Sequence, residues 1–404
     1  MIRHYLKLIW NRKRSNLLIT VEIFFSFLVV FAVVATAAYY ANNFRRPLGY
    51  SIEDVWVVSV DSNQSRLPWS EVDESAINET RRQLHLAVGE LPEVTAIAEC
   101  FTVPYGNGRW GGVAKVGGRD VWYSRDGVTD GFAEVFGLSL VRGRWFARDD
   151  DAAGFEPVVI NEKLAALAFG AEDPIGKAFP ANERDEAQKE QRVVGVISEF
   201  RQDGELALPE GYMLTRVRPG ESFVVSALGN IVLKLRPGTT VAFEEGLVKR
   251  MRAVAKDWSF EVQPAVQMRE QKLRDALMPL IAGGVIAGFL MLMVASGLTG
   301  VVWQSVTQRT REIGLRRAKG ATVPDIRRQI VGELAVVTTL AVLPGALIVA
   351  QLPILGAVQG VTAGVFASSL VISALCIYLL TLASAWYPSR MATSISPAEA
   401  LHYE

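Results

Sequence analysis

Leu280–Val302 reads LIAGGVIAGFLMLMVASGLTGVV, 23 residues without a charge. At about 1.5 Å of rise per residue such a helix covers roughly 34 Å, enough for a hydrocarbon core of about 30 Å. Three other runs match it. Leu17–Tyr40 spans 24 residues with Glu22 as its one charged side chain, Ile330–Leu352 spans 23 with Glu333 near its start, and Val361–Tyr387 carries no charge. A buried helix of a water-soluble protein normally keeps a polar stripe, and the second and fourth runs have none to offer. The runs read as four transmembrane helices.

Flanking charge sets their orientation. Before the first run stand Arg3, Lys7, Arg12, Lys13 and Arg14, with no acid among them. Between the second and third stand Arg309, Arg311, Arg316, Arg317, Lys319, Arg327 and Arg328, against only Glu312 and Asp325. The loop Pro353–Gly360 is uncharged. Both basic segments, and with them both termini, are therefore expected in the cytoplasm. Trp10, Trp303 and Trp386 then lie at the cytoplasmic interface, and Tyr39 and Tyr40 at the outer one. Ala35-Thr36-Ala37 resembles a signal-peptide cleavage site, but the apolar run exceeds the usual ~7–15 residues of such a core. It reads as an uncleaved anchor.

The fold class that follows is an α+β membrane protein, with a large mixed α/β extracytoplasmic domain inserted between the first and second transmembrane helices. The expected division is 1–16 cytoplasmic, 17–40 first helix, 41–279 outside, 280–303 second helix and 304–329 cytoplasmic loop. Residues 330–352 and 361–387 form the last two helices, and 388–404 a cytoplasmic tail. The whole chain balances 42 basic against 42 acidic side chains, yet residues 41–279 hold 29 and 36, a net charge of −7. That excess argues against nucleic acid and mildly favours cationic ligands. Half the chain is apolar, too much for disorder. Cys100 lies in the outer segment and Cys376 in the fourth run, so the two cannot pair.

Within 41–279, β-rich runs occur at 54–60, 94–103, 113–123, 157–160, 192–198, 223–228 and 231–236. Helical spacing marks 71–89 (Val72, Ala76, Thr80, Leu84, Val88), 161–169 and 241–256, with a last helix at 266–277 feeding into the second span. Residues 181–191 (ANERDEAQKEQ) read as a polar loop. Two phosphate-site lookalikes fail. Gly106–Gly111 (GNGRWG) has the G-x-G-x-x-G letters but opens no helix, and reads as a hairpin loop. Gly170–Lys177 (GAEDPIGK) is one residue too long for a P-loop, and Ala178 replaces the required Ser or Thr. Asp149-Asp150-Asp151 reads as a loop or helix start, and His85 as a solvated side chain. With His4 and His402 the only other histidines, no catalytic or metal set converges, and no bound cofactor is expected.

The basic loop says more. Gln304–Lys319 (QSVTQRTREIGLRRAK) reads as a short helix with Glu312 four residues before Arg316, the favourable order for an ion pair. Gly320 can end it in the left-handed conformation, and Thr322-Val323-Pro324-Asp325 can cap a new helix that becomes the third span. Topology alone needs charge but no hinged helix, so the loop reads as a docking element for a cytoplasmic partner. In the second span Gly284, Gly288, Ser296 and Gly300 share one face, interrupted by Leu292, a pattern that lets helices approach closely. Whether the neighbour is in the same chain or in a second copy stays open. Pro344-Gly345 is expected to kink the third span. Spans with so little polarity make a poor conduit for a polar solute, and are better suited to transmitting movement.

These residues resemble a known family. Glu312–Thr322 (EIGLRRAKGAT), Arg327–Ile330 with Glu333, and Tyr387–Glu404 (YPSRMATSISPAEALHYE) resemble the permease module of MacB/FtsX-like ABC transporters. Val128–Trp145, Pro157–Lys177 and Val193–Ser198 resemble the MacB-type periplasmic core domain. The resemblance implies two outer subdomains, residues 50–125 plus 216–265 and an inserted 126–215. It also implies a dimer with a second permease, identical or related, and a cytoplasmic ABC ATPase that binds the ATP. MacB itself carries that ATPase at its N-terminus, whereas here the motor is expected in a separate polypeptide. An adaptor and outer-membrane channel are further conceivable partners, beside membrane lipids. The implied work is export of a drug, peptide or similar substrate. Regulation of an envelope hydrolase, antimicrobial sensing and lipoprotein release share the architecture. Arg311, Glu312, Ile313, Leu315, Arg316, Arg317 and Gly320 are the expected ATPase-coupling residues. Arg316→Glu with Arg317→Glu is expected to abolish ATPase association in a pull-down while the chain stays folded; unchanged association removes that role.

Overall fold

The structure, a computed structural model, describes residues 13–62, 73–179, 190–218, 228–356 and 360–394. The expected strand at 223–228 and polar loop at 181–191 fall almost wholly outside the described residues, as do the extreme termini. Two compact units emerge: Asn43–Asp275, and the segments on either side of it.

The first unit is built on one ten-stranded sheet. Its elements are β1 (Val55–Asp61), α2 (Glu74–Gly89), β2 (Val94–Cys100), β3 (Gly111–Val116), β4 (Arg119–Val128), α3 (Phe132–Phe136) and β5 (Leu140–Gly143). There follow β6 (Glu156–Asn161), α4 (Glu162–Phe169), β7 (Gln191–Ile197), β8 (Tyr212–Arg216), β9 (Leu228–Leu235), α5 (Ala242–Val254) and β10 (Ser259–Pro264). The strand order is β10-β1-β9-β2-β4-β8-β6-β7-β5, with β3 paired to β4. One half pairs β1 antiparallel with β9 and β10, bringing Val58 opposite Ile231 and Val262. Helices α2 and α5 cover it through Leu84, Val88, Leu247 and Met251, all fully buried with Ile231 and Leu233. In the other half α4 lays Leu164 and Ala165 over Ile160, Val193 and Met213.

The halves meet at a narrow waist. Between β2 and β4 a single registered pair, Cys100 with Val128, completes the ladder. Side chains reinforce it. The Asp126 carboxylate accepts from the N–H groups of Phe101 (3.1 Å) and Thr102 (3.1 Å) and from the Thr102 hydroxyl (2.9 Å). Burial pushes this carboxyl up to about 7 against those donors. A third apolar cluster, with Val57, Ala98, Phe132, Phe136, Ile197, Phe200, Tyr212 and Val232, draws on both sides of the waist.

Caps explain several boundaries. Asp73 accepts from Ala76 N–H (3.0 Å) and starts α2 at Glu74, while residues 71–72 of the expected helix lie outside the described residues. Asn161 accepts from Leu164 N–H (2.9 Å) and starts α4. The expected single strand 113–123 is instead two, because Gly117 (φ +54°) and Gly118 (φ +77°) form a two-residue reversal that places Val116 opposite Arg119. Gly106–Gly111 lies in the loop from β2 to β3, strands that do not pair with each other. It opens a strand and no helix, and the hairpin turn sits one strand later than expected. Asp149-Asp150-Asp151 forms part of a short 3-10 turn, Arg148–Ala152. Strands β5, β8 and β10 were not foreseen.

His85 is not solvated. Its ring nitrogen lies 3.1 Å from the buried Glu99 carboxylate, whose other oxygen accepts from Arg81 Nε (3.1 Å) and Nη2 (3.0 Å). Burial opposes the Glu99 charge, but the His85 hydrogen bond and the Arg81 charge outweigh it and hold the carboxyl below its usual range. The trio pins α2 to β2. Gly229 makes room for it, since a Cβ there would lie 2.2 Å from the Arg81 guanidinium.

The second unit contains four helices long and apolar enough to cross a membrane: α1 (Lys13–Phe44), α6 (Ala265–Gln308), α8 (Val323–Val349) and α9 (Ala363–Ser394). A short helix, α7 (Thr310–Ala318), joins α6 to α8. Ile23, Phe27, Val294, Leu298, Val337, Ala341 and Ile377 form the centre of their apolar cluster. Helix α8 continues through Pro344. Beside it, Gly345 lacks a Cβ that would stand 2.7 Å from the Phe27 ring, and this is how α1 and α8 come close. Hydroxyls tie α8 to α9, Thr338 to Thr381 at 3.0 Å and Thr339 to Tyr378 at 2.8 Å.

Replacing Arg81 with Met is expected to destabilise the sheet unit by about 3–5 kcal/mol, the usual penalty for leaving a buried carboxylate without its cation. Chemical denaturation followed by tryptophan fluorescence checks it.

Candidate coupling site

The end of α6, helix α7 and the start of α8 form one polar construction on an apolar floor. Helix α6 runs on to Gln308, so the basic helix expected over 304–319 is shorter. Arg309 leaves helical geometry (φ −113°, ψ 14°) and α7 begins at Thr310. A neighbouring contact accounts for the break: Arg309 Nη1 donates to both Glu333 oxygens, at 2.9 and 3.1 Å. Gln329, one turn before Glu333 on α8, donates to the same carboxylate at 3.2 Å and accepts from Arg316, which also bonds Glu312. The result is a relay, Glu312–Arg316–Gln329–Glu333–Arg309, stitching α7 to α8. It encloses a cleft of about 70 Å³ floored by Val302, Val306, Ile326, Ile330 and Val337.

The reversal between α7 and α8 follows from its residues. Gly320 takes φ +95°, its N–H reaching the Arg317 carbonyl (3.0 Å) while Ala321 N–H reaches that of Arg316 (3.0 Å). Thr322 then stands extended as the cap of α8, and Asp325 accepts from its N–H (3.0 Å) and hydroxyl (2.5 Å).

The structure sorts the expected coupling residues into three groups. Arg311, Glu312 and Leu315 are exposed, Leu315 at 49%. Ile313 is buried in the apolar cluster of the helices. Arg316 and Arg317 are half-buried, and Arg316 is held in the relay. Reversing both arginines would therefore also cut the relay. Arg309, Gln329 and Glu333 were not singled out as a unit, although the i, i+4 spacing of Gln329 and Glu333 and a basic residue at the end of the preceding helix were the available signals.

The small-residue stripe on α6 is placed just as plainly. A Cβ added at Gly284, Gly288 or Gly300 would meet nothing within 4 Å, Ser296 is exposed, and Leu292 between them is 68% exposed. Close packing inside the chain uses Gly283, against Val33, and Gly297, where an added Cβ would stand 3.2 Å from the Glu22 carboxylate.

Arg309→Met and Glu333→Gln are each expected to destabilise the purified chain by about 1–3 kcal/mol, below the fully buried value because both side chains are about a fifth exposed. Exchanging the two charges, Arg309→Glu with Glu333→Arg, is expected to recover part of the loss. Thermal aggregation in detergent reads the order; equal behaviour of all variants removes the relay's structural role.

Comparison with known proteins agrees with this architecture. The model of the MacB-like periplasmic core domain matches residues 19–248, and that of the FtsX-like permease C-terminal region matches residues 284–397. The pyoverdine export ATP-binding/permease protein PvdT of Pseudomonas savastanoi pv. phaseolicola is 28% identical over 346 residues, 79% of this chain and 47% of that protein. The chain thus spans about half the length of such relatives. The uncharacterized ABC transporter permease YknZ of Bacillus subtilis is 28% identical over 293 residues, 69% of this chain and 70% of that one. The crystal structure of the periplasmic region of MacB from Actinobacillus actinomycetemcomitans superposes with a TM-score of 0.39 at 15% identity, covering 55% of this chain and 92% of that one. With both family models matched in order along one multi-pass chain, the protein belongs to the MacB-like, FtsX-like family of ABC transporter permeases.

Proposed function

We propose that the chain is the permease subunit of a type VII ABC exporter. ATP hydrolysis by a separate cytoplasmic ATPase changes the extracytoplasmic sheet unit through the membrane helices and drives a substrate out from the periplasmic side. In this reading the chain itself is non-catalytic, binds no cofactor, and sits in the inner membrane with both termini and α7 in the cytoplasm. It works as a dimer with an identical or related permease, and the exposed Gly284, Gly288, Ser296 and Gly300 stripe supplies a helix-packing face.

The observation that carries the reading is the pairing of the acid at the α7–α8 junction. Glu333 is neutralised by Arg309, and among the described residues the only other charged group deep within the spans is Glu22. A solute path needs polar groups that remain available along it, and these helices offer almost none. The relay instead makes α7 and α8 move as one piece, which suits a lever. YknZ, called a permease, is matched over most of its length, which supports a motor on a partner chain. PvdT, called a pyoverdine exporter, supports export as the work and a peptide-like or drug-like molecule as the substrate class.

The test separates contact from fold. Arg311→Glu with Leu315→Asp alters exposed side chains and leaves the relay intact. It is expected to weaken co-purification with the ATPase at least about tenfold, a loss of ~1.4 kcal/mol or more, with unchanged thermal stability. Undiminished association overturns the assignment of α7 as the docking element.

A further inference from the structure

Among the described residues Arg201 is the largest fully buried side chain, 1% exposed, and no carboxylate is bonded to it. Its guanidinium instead donates to four backbone carbonyls. Nη1 reaches those of Asn43 (3.0 Å) and Arg46 (3.1 Å), and Nη2 those of Glu205 and Ala207 (2.5 Å each). The first pair lies where α1 ends, at Phe44. The Asn43 carbonyl is one of the last four of that helix, which find no N–H donor within it. A cation there also meets the negative end of the helix dipole.

The neighbourhood repeats the pattern. Asn43, fully buried, donates from Nδ2 to the Leu206 carbonyl (3.1 Å). The Tyr50 hydroxyl donates to the Arg201 carbonyl (2.9 Å), and Arg201 N–H to that of Leu48 (3.2 Å). Gly49 (φ +87°) passes so close that an added Cβ would overlap the Glu199 carbonyl. Residues 43–50 are thus stitched to 199–207, segments some 158 residues apart in the chain. On its other side the same loop is held by α6, whose Arg269 pairs with the Glu205 carboxylate. Gln202 meanwhile bonds Gly108 and Tyr212 inside the sheet unit (2.7 and 2.9 Å).

We infer that Arg201 is a positioning residue for force transmission: its fork clasps the end of α1 to the 199–207 loop, so that displacement of α1 and of the start of α6 reaches the sheet unit through the same few residues. This rests on the mechanical reading above. The chemistry explains the choice of side chain. Only a planar fork of five donors serves carbonyls from two segments at once; a lysine ammonium is a single point. If tight packing alone were required, an apolar side chain of similar volume would serve at least as well as a buried charge.

The experiment uses the full chain with its ATPase in lipid nanodiscs, in a Cys376→Ser background. A fluorophore on Trp122→Cys, a position 74% exposed in the sheet unit, reports ATP-dependent change. Arg201→Met is expected to keep ATPase association. It should raise amide exchange across 43–50 and 199–207 at least about tenfold, the effect of losing one charge-assisted hydrogen bond, and abolish the ATP-dependent signal. Arg201→Lys is expected to fall between the two. If Arg201→Met does not fold, Tyr50→Phe, which removes one stitch and leaves the arginine, is expected to diminish the signal in a folded chain. A folded Arg201→Met complex, or in its place a Tyr50→Phe complex, with the full ATP response overturns the clasp. Absence of any signal in the wild-type complex overturns the mechanical reading itself, a failure distinguishable from a loss confined to the variants.

Discussion

Hydrocarbon offers no water to an exposed peptide group or charge, and that constraint organises this protein. It forces every crossing segment to be a helix that satisfies its own backbone. Several polar side chains within those helices find partners there: Ser296, Thr299 and Thr307 return their hydroxyls to the carbonyl one turn earlier. Thr338 and Thr339 find partners on α9. The acid at the start of the third span is matched by an arginine at the break after the second. Once these demands are met, little unpaired polarity remains among the described residues of the helices.

The sheet unit handles buried charge by two different chemistries. Glu99 is met by Arg81 and His85 on α2, and its ion pair with Arg81 locks a helix onto a strand. Asp126 and Arg201 have no countercharge bonded to them among the described residues and are held mainly by backbone groups, one as acceptor of two N–H donors and the Thr102 hydroxyl, the other as donor to carbonyls. Backbone partners fix a chain path more tightly than a flexible side chain does, because they move only when the main chain moves. Both lie where separate segments must keep register: the waist of the sheet and the exit of α1.

Much of this was legible in the amino acids. The four spans declared themselves by length and absence of charge, and Gly320 with Thr322 and Asp325 announced the reversal between α7 and α8. Asn161 marks a helix start. What escaped had a common cause. Strands β8 and β10 are short and their partners are distant in sequence, so no local alternation marked them. The Gly117-Gly118 turn was hidden inside a run of β-formers. His85 looked solvated because its partner Glu99 sits on another element, and Arg201 is one arginine among many until the fold brings the carbonyls of residues 43 and 46 to it. Ile313 sits amid charged neighbours, and only the packed helices reveal which way it faces.

The sheet's waist carries a last implication. Two broad halves joined by one ladder pair resist being pulled apart, since the shared apolar cluster would have to be opened. Moving the halves apart in any direction would break the Asp126 bonds to Phe101 and Thr102 and open that cluster, so the joint is held less by strand pairing than by one buried carboxyl and the apolar side chains around it.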